Sequence, residues 1–151
     1  YITAELIRQV KDLHLNGIVH LDIKPENIMI LMNEKEEILK VTIIDYEYSR
    51  FLHLDSLAHP VNFGTIGYIS PEVYKKNNIG TYTDIWSLGI TIYSMYTNEP
   101  LFIDLVDKNN VKTKTLECNF DFFEENLEKI PFDIRTLIRN MLKKNPNERN
   151  F

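Results

Sequence analysis

Apolar side chains recur at Ile2, Leu6, Val10 and Leu13, one helical face, and Asn16-Gly17 supplies a stop. The spacing predicts an amphipathic helix over residues 2–15, followed by a short extended piece from Ile18 to His20. After Pro25 the pattern changes. Asn27 to Met32 reads as a strand, Asn33 to Glu37 as a charged, solvated turn, and Ile38 to Ile44 as a second strand, so the two are expected to pair as a hairpin. From Asp45 to Glu72 no period is sustained, and Pro60, Gly64, Gly67 and Pro71 punctuate the chain. So long an irregular stretch in a compact domain normally carries function. Thr83 can then cap a helix running through Thr97, in which Ile85, Trp86, Leu88, Ile90, Ile92, Tyr93, Met95 and Tyr96 point in nearly every direction. A helix apolar all round is a buried central one, and Trp86, Tyr93 and Tyr96 are expected in the core. A last helix runs from about Phe132 to Lys144, with Ile134, Leu137, Ile138, Met141 and Leu142 on one face. Asp133 at its start and Lys143 and Lys144 at its end suit the macrodipole, and Asn145-Pro146 ends it. The expectation is one unit, mainly α with a small β-hairpin element.

Composition narrows the function classes. The 151 residues are 44% apolar and 26% charged, an ordinary globular mixture that excludes a disordered or low-complexity chain. The 17 basic against 22 acidic side chains leave a net charge of −5, which argues against nucleic acid and anionic membranes as partners. Cys118 is the single cysteine, so an internal disulfide is excluded; it reads as a small, partly buried apolar residue in a reducing, cytoplasmic setting, with the nucleus also open. The longest apolar run, residues 27–32, is too short to cross a bilayer, and no signal-peptide pattern is present. Tyr1 opens mid-pattern without an initiating Met, the expectation for a piece of a longer chain.

The candidate chemistry sits in His20-Leu21-Asp22-Ile23-Lys24-Pro25-Glu26-Asn27. Bent by Pro25, its carboxylate, ammonium and amide could gather around one phosphoryl group. Asp22 can accept a hydroxyl proton, Lys24 can neutralise phosphate charge, and Asn27 can offer a carbonyl oxygen to Mg²⁺. An Asp and an Asn in a surface turn is the commoner meaning of such a match taken alone. Asp45, 23 residues after Asp22 at the end of the second strand, could bring a second hard oxygen beside Asn27. His14, His53 and His59 are too scattered for a metal site, and His20 reads as a packed core histidine rather than a proton carrier.

Three further motifs follow in order: Gly64-Thr65-Ile66-Gly67-Tyr68-Ile69-Ser70-Pro71-Glu72, Asp84-Ile85-Trp86-Ser87-Leu88-Gly89, and Asn145-Pro146-Asn147-Glu148-Arg149. With them the whole chain, residues 1–151, resembles the C-terminal lobe of a eukaryotic protein kinase. The string Val19-His20-Leu21-Asp22-Ile23-Lys24-Pro25-Glu26-Asn27-Ile28-Met29 is similar to the calcium/calmodulin-dependent group, near the death-associated and myosin light-chain kinases, and its Lys-Pro-Glu-Asn form is of the Ser/Thr type. The resemblance implies ATP and Mg²⁺ as cofactors and a protein substrate with a Ser or Thr acceptor. A regulatory tail or calmodulin-like regulator would lie outside this chain. It also implies roles: Asp22 as base, Lys24 as γ-phosphate contact, Asn27 and Asp45 as Mg²⁺ ligands, and Thr65 bonded near Asp22 and Lys24. Glu72 would pair with Arg149, Asp84 would anchor the loop backbone, and Glu26 could read a basic substrate residue.

The sequence departs from the family pattern in three places. Leu21 stands where an Arg usually holds a phosphorylated activation loop, so activity is not expected to need phosphorylation at Ser49, Ser56 or Thr65. Tyr46-Glu47 replaces Phe-Gly after Asp45, and Glu47 adds a side chain and a negative charge where Gly is usual. No N-terminal lobe, with its Gly-rich loop, strand Lys and helix Glu, is found in this chain. The leading reading is an enzyme, a Ser/Thr kinase inactive as this isolated piece. The alternatives are a pseudokinase binding or scaffold module with a degenerate metal loop at Glu47, and a truncated fragment without independent function.

Overall fold

The computed structural model describes residues 1–52, 63–75, 79–102, 105–120 and 123–151. His53, Ser56, His59 and Pro60 lie outside them. The first amphipathic helix, α1, spans Ile2–Leu15 and buries Leu6 and Val10 completely. A short strand β1, Ile18–Val19, follows Gly17, whose φ of +70° lets the chain reverse after the helix. The hairpin forms as an antiparallel pair, β2 (Ile28–Met32) and β3 (Ile38–Ile43), with Ile28 opposite Ile43 and an irregularity at Leu31/Met32. Its turn is organised by Asn33, whose side-chain oxygen accepts the N–H groups of Lys35 and Glu37, both at 2.9 Å. Residues 34–37 are exposed. Asn27 closes a 3-10 turn, Pro25–Asn27, rather than opening β2, because Pro25 starts the turn and the Asn27 N–H bonds back to the Lys24 carbonyl.

The irregular stretch contains β4, Arg50–Phe51, which pairs antiparallel with β1. Two residues on each side carry too little periodicity to be read from sequence. A single turn α2, Pro71–Tyr74, precedes the central helix α3, Thr81–Thr97. That helix starts two residues before the expected Thr83 cap. Gly80 is the N-cap, and Thr83 instead reaches back, its Oγ1 accepting the Gly80 N–H at 3.3 Å. Trp86, Leu88, Ile92 and Tyr93 are fully buried, so α3 is the central element its composition predicts. Tyr96 is a correction: it is 43% exposed, because the last turn of α3 emerges from the core.

Two helices come without an apolar stripe to announce them. α4, Lys108–Glu117, buries only Val111 and Thr115, and its start is fixed by Asp107, which accepts the N–H groups of Asn109 and Asn110. α5 is Phe123–Leu127. The final helix α6, Phe132–Met141, ends before the expected Lys144. The carbonyls of Lys143 and Lys144 are instead taken by the Arg149 side chain. At Gly89 α3 lies tightly against α6: a Cβ there would lie 2.9 Å from Met141 Cβ. No helix among the described residues is long and apolar enough to cross a membrane.

Candidate functional site

The turn between β1 and the 3-10 segment is held from below by α3. Asp84, fully buried, accepts the backbone N–H groups of His20 and Leu21 with its two oxygens, each at 2.8 Å. His14, from α1, approaches the same carboxylate at 2.9 Å. These bonds hold Leu21 at a φ of +70°, a conformation an L side chain adopts only against a cost of about 1–2 kcal/mol. No local pattern signals this role of His14, because its partner is 70 residues away. His20 is fully buried; its Nδ1 accepts the Asp22 N–H at 3.3 Å, and its Nε2 lies 3.1 Å from the Ile44 carbonyl. The Tyr46 ring packs on it at 4.8 Å. With both nitrogens engaged inside the fold, His20 is the packed histidine its setting predicts.

With the backbone so fixed, four of the predicted side chains meet. Asp22, 4% exposed, accepts the Thr65 hydroxyl at 2.7 Å on Oδ1. Its Oδ2 receives Lys24 Nζ at 2.9 Å and Asn27 Nδ2 at 3.0 Å. Lys24 also donates to Thr65 Oγ1 at 2.7 Å, and Asn27 Nδ2 to the Asp22 carbonyl at 2.8 Å. A carboxylate flanked by an ammonium and a hydroxyl that bridges the two has the chemistry to accept a proton beside anionic charge.

The hairpin ties the chain next to Asp45 to this cluster. The Ile44 N–H donates to the Asn27 carbonyl at 2.9 Å, which seats the end of β3 beside Asn27. Asp45 itself is exposed, at a φ of +63°, and its Oδ1 accepts the Glu47 N–H at 3.3 Å. Asn27 spends its amide hydrogens on Asp22, so the side-chain group left to offer is its carbonyl oxygen. An amide oxygen and an exposed carboxylate suit Mg²⁺, a hard cation that takes one or two carboxylates together with phosphate oxygens. Among the described residues no group of three or more His, Cys, Asp or Glu side chains could hold a metal by itself. The left-handed φ falls on Asp45, so the Glu47 backbone does not call for glycine, and its side chain is exposed.

Leu21 is 3% exposed and belongs to an apolar cluster with Val19, Phe63 and Ile79. Glu26 is exposed, and its charge adds to burial in pushing the Tyr68 phenol above its ordinary pKa, partly offset by a hydrogen bond with Ser94. Glu72 and Arg149 form the expected buried pair, Nη1 to Oε1 at 2.8 Å and Nη2 to Oε2 at 2.9 Å. Arg149 also donates to the carbonyls of Tyr82 and Lys143 and lies 4.8 Å over the Trp86 ring.

Residues 1–150 match the family described as protein kinase domain. Over 145 residues the chain is 31% identical to the calcium/calmodulin-dependent protein kinase type II alpha chain of Drosophila melanogaster, covering 96% of this chain and 27% of that protein. It is 32% identical over 151 residues to a calcium and calcium/calmodulin-dependent serine/threonine-protein kinase of Pisum sativum, covering 98% and 27%. A DNA damage response protein kinase of Saccharomyces cerevisiae is 30% identical over 159 aligned positions, covering 96% and 31%. The chain thus spans less than a third of the length of the relatives it matches.

Proposed function

The chain belongs to the protein kinase domain family, and from that premise we propose that it is the C-terminal lobe of a Ser/Thr kinase that transfers the γ-phosphate of ATP to a protein hydroxyl. The observation that carries this reading is the closed cluster of Asp22, Lys24, Thr65 and Asn27. Asp22 takes the proton of the acceptor Ser or Thr as its oxygen attacks the γ-phosphorus and the bond to ADP breaks. Lys24 sets a positive charge beside the phosphoryl oxygens, and Thr65 keeps Lys24 and Asp22 in register. Asn27 and Asp45 would hold Mg²⁺, which when bound neutralises phosphate charge. Two of the three relatives are calmodulin-dependent by name, which makes a calmodulin-like regulator acting outside this chain the partner to look for.

In the intact protein, Asp22→Asn should abolish phosphoryl transfer while leaving ATP affinity nearly unchanged; retention of most of the turnover would defeat the assignment. The second reading, a binding module silenced at the metal loop, rests on Glu47 standing where the family usually has glycine. Turnover of wild type and Glu47→Gly across a Mg²⁺ titration separates the two. An active kinase changes modestly, whereas a silenced one rises severalfold from near zero.

A further inference from the structure

Ser70 stands at the start of α2, and serine is a residue type that commonly caps a helix through its own hydroxyl. Here no side-chain cap bond is made. The Ser70 hydroxyl is fully buried and finds no hydrogen-bond partner in the protein. A hydroxyl taken out of water and left unpaired is costly, so such a group calls for a ligand. Ser70 lines a small cavity between the turn that carries Asp22, the bend after Thr65 and the first turns of α3, with Thr83 and Ser87 on the α3 side. The space open to the centre of a water is about 10 Å³, close to the least that holds one.

The neighbouring hydroxyls have their hydrogens committed. Ser87 Oγ donates to the Tyr68 carbonyl at 2.9 Å, Thr83 Oγ1 to Glu72 Oε1 at 3.3 Å, and Thr65 Oγ1 to Asp22 Oδ1 at 2.7 Å. Each of these oxygens keeps a lone pair, whereas the Ser70 hydrogen has no acceptor. We propose that this cavity binds a single water, which accepts the Ser70 hydroxyl and donates to Ser87 Oγ. The space is too small for a larger ligand, and its wall is polar on both the α2 and the α3 sides. A buried water takes two to four polar partners, and Ser70, Ser87 and Thr83 supply them. So held, the water adds to the bonds of Ser87 and Thr83 and fastens the start of α2 to α3, next to Asp22 and Thr65.

In the intact protein, Ser70→Ala should lower the melting temperature by about 2–4 °C, the scale of one hydrogen bond lost from a domain of this size. A hydroxyl without any ligand predicts the opposite sign, since alanine would remove an unpaired polar group. Ser87→Ala gives up the Tyr68 bond as well and should cost more. The double variant should lose less than the sum of the two, because the serines share one water although no direct bond joins them. A high-resolution crystal structure of the wild type, which does not depend on the variants folding, should show a water within about 2.7–3.2 Å of both Oγ atoms. A melting temperature unchanged or raised by Ser70→Ala overturns the proposal. So do losses that simply add, a cavity without that water, or a Ser70 hydroxyl bonded instead to a backbone N–H of α2.

Discussion

Thr65 is the residue whose surroundings carry most information about the site. Its hydroxyl accepts from Lys24 and donates to Asp22, so a single oxygen couples the ammonium to the carboxylate. Thr65→Val keeps the shape and removes that coupling. In the intact protein it should lower kcat by about a hundredfold, the cost of losing one preorganised donor in a site, while Thr65→Ser retains most activity. Steady-state kinetics alongside thermal melts would show whether the loss is chemical or structural. Leu21 makes the opposite point, that a departure from a family pattern can be built into the core. Its side chain fills the cluster of Val19, Phe63 and Ile79, so restoring the family's Arg buries a charge among apolar groups. Leu21→Arg should destabilise the fold by about 3–5 kcal/mol, as an uncompensated buried charge does, and denaturant titration measures it.

Among the elements, α3 organises everything else. It offers Asp84 to the turn that carries Asp22, the Trp86 ring to Arg149, and the bare backbone of Gly89 to α6. A methyl at Gly89 would press on Met141 Cβ at 2.9 Å and Leu142 Cδ2 at 3.1 Å. Intrinsic helix propensity favours Ala over Gly by about 1 kcal/mol. The backbone-to-helix approach leaves no room to use it, so Gly89→Ala should be net destabilising by about 1–3 kcal/mol, the usual cost of overpacking. An increase in melting temperature would contradict the close approach of these two helices.

At the scale of the whole molecule, Glu72 and Arg149 tie α2 to the final segment across 77 residues of sequence. The guanidinium spends its donors on the two Glu72 oxygens and on carbonyls around it, a planar fork that an ammonium cannot imitate. Arg149→Lys should therefore lose nearly as much stability as Glu72→Ala, about 3–5 kcal/mol, by denaturant titration. A second expectation concerns nucleotide. If this chain is one lobe, calorimetry on the 151 residues should show Mg-ATP binding weaker than about 100 μM, since the adenine would be covered on one side only. Micromolar affinity would mean that these residues bind nucleotide unaided.

Much of this protein is legible in its residues alone. Helical spacing marks α1 and α6, two apolar runs around a charged turn mark the hairpin, and unbroken apolarity marks α3 as central. These are local signals, written within one or two turns of chain by the need to bury one face. The candidate site was legible for a different reason: Asp22, Lys24 and Asn27 lie within six residues, and Thr65 and Asp45 stand at spacings that resemble a known family. Tertiary structure decided what no local pattern encodes. The β1–β4 pair is two residues to a side, α4 buries only Val111 and Thr115, and α6 ends at Met141 with the carbonyls of Lys143 and Lys144 taken by Arg149. His14 reaches Asp84, Leu21 closes an apolar cluster, and Leu105 rests on Gly67 only because distant segments converge. The left-handed turn at Asp45 rather than at Glu47 belongs to the same class. A side chain's partner is set by the packing of the whole chain, and only the backbone's periodic preference is set by its neighbours in sequence.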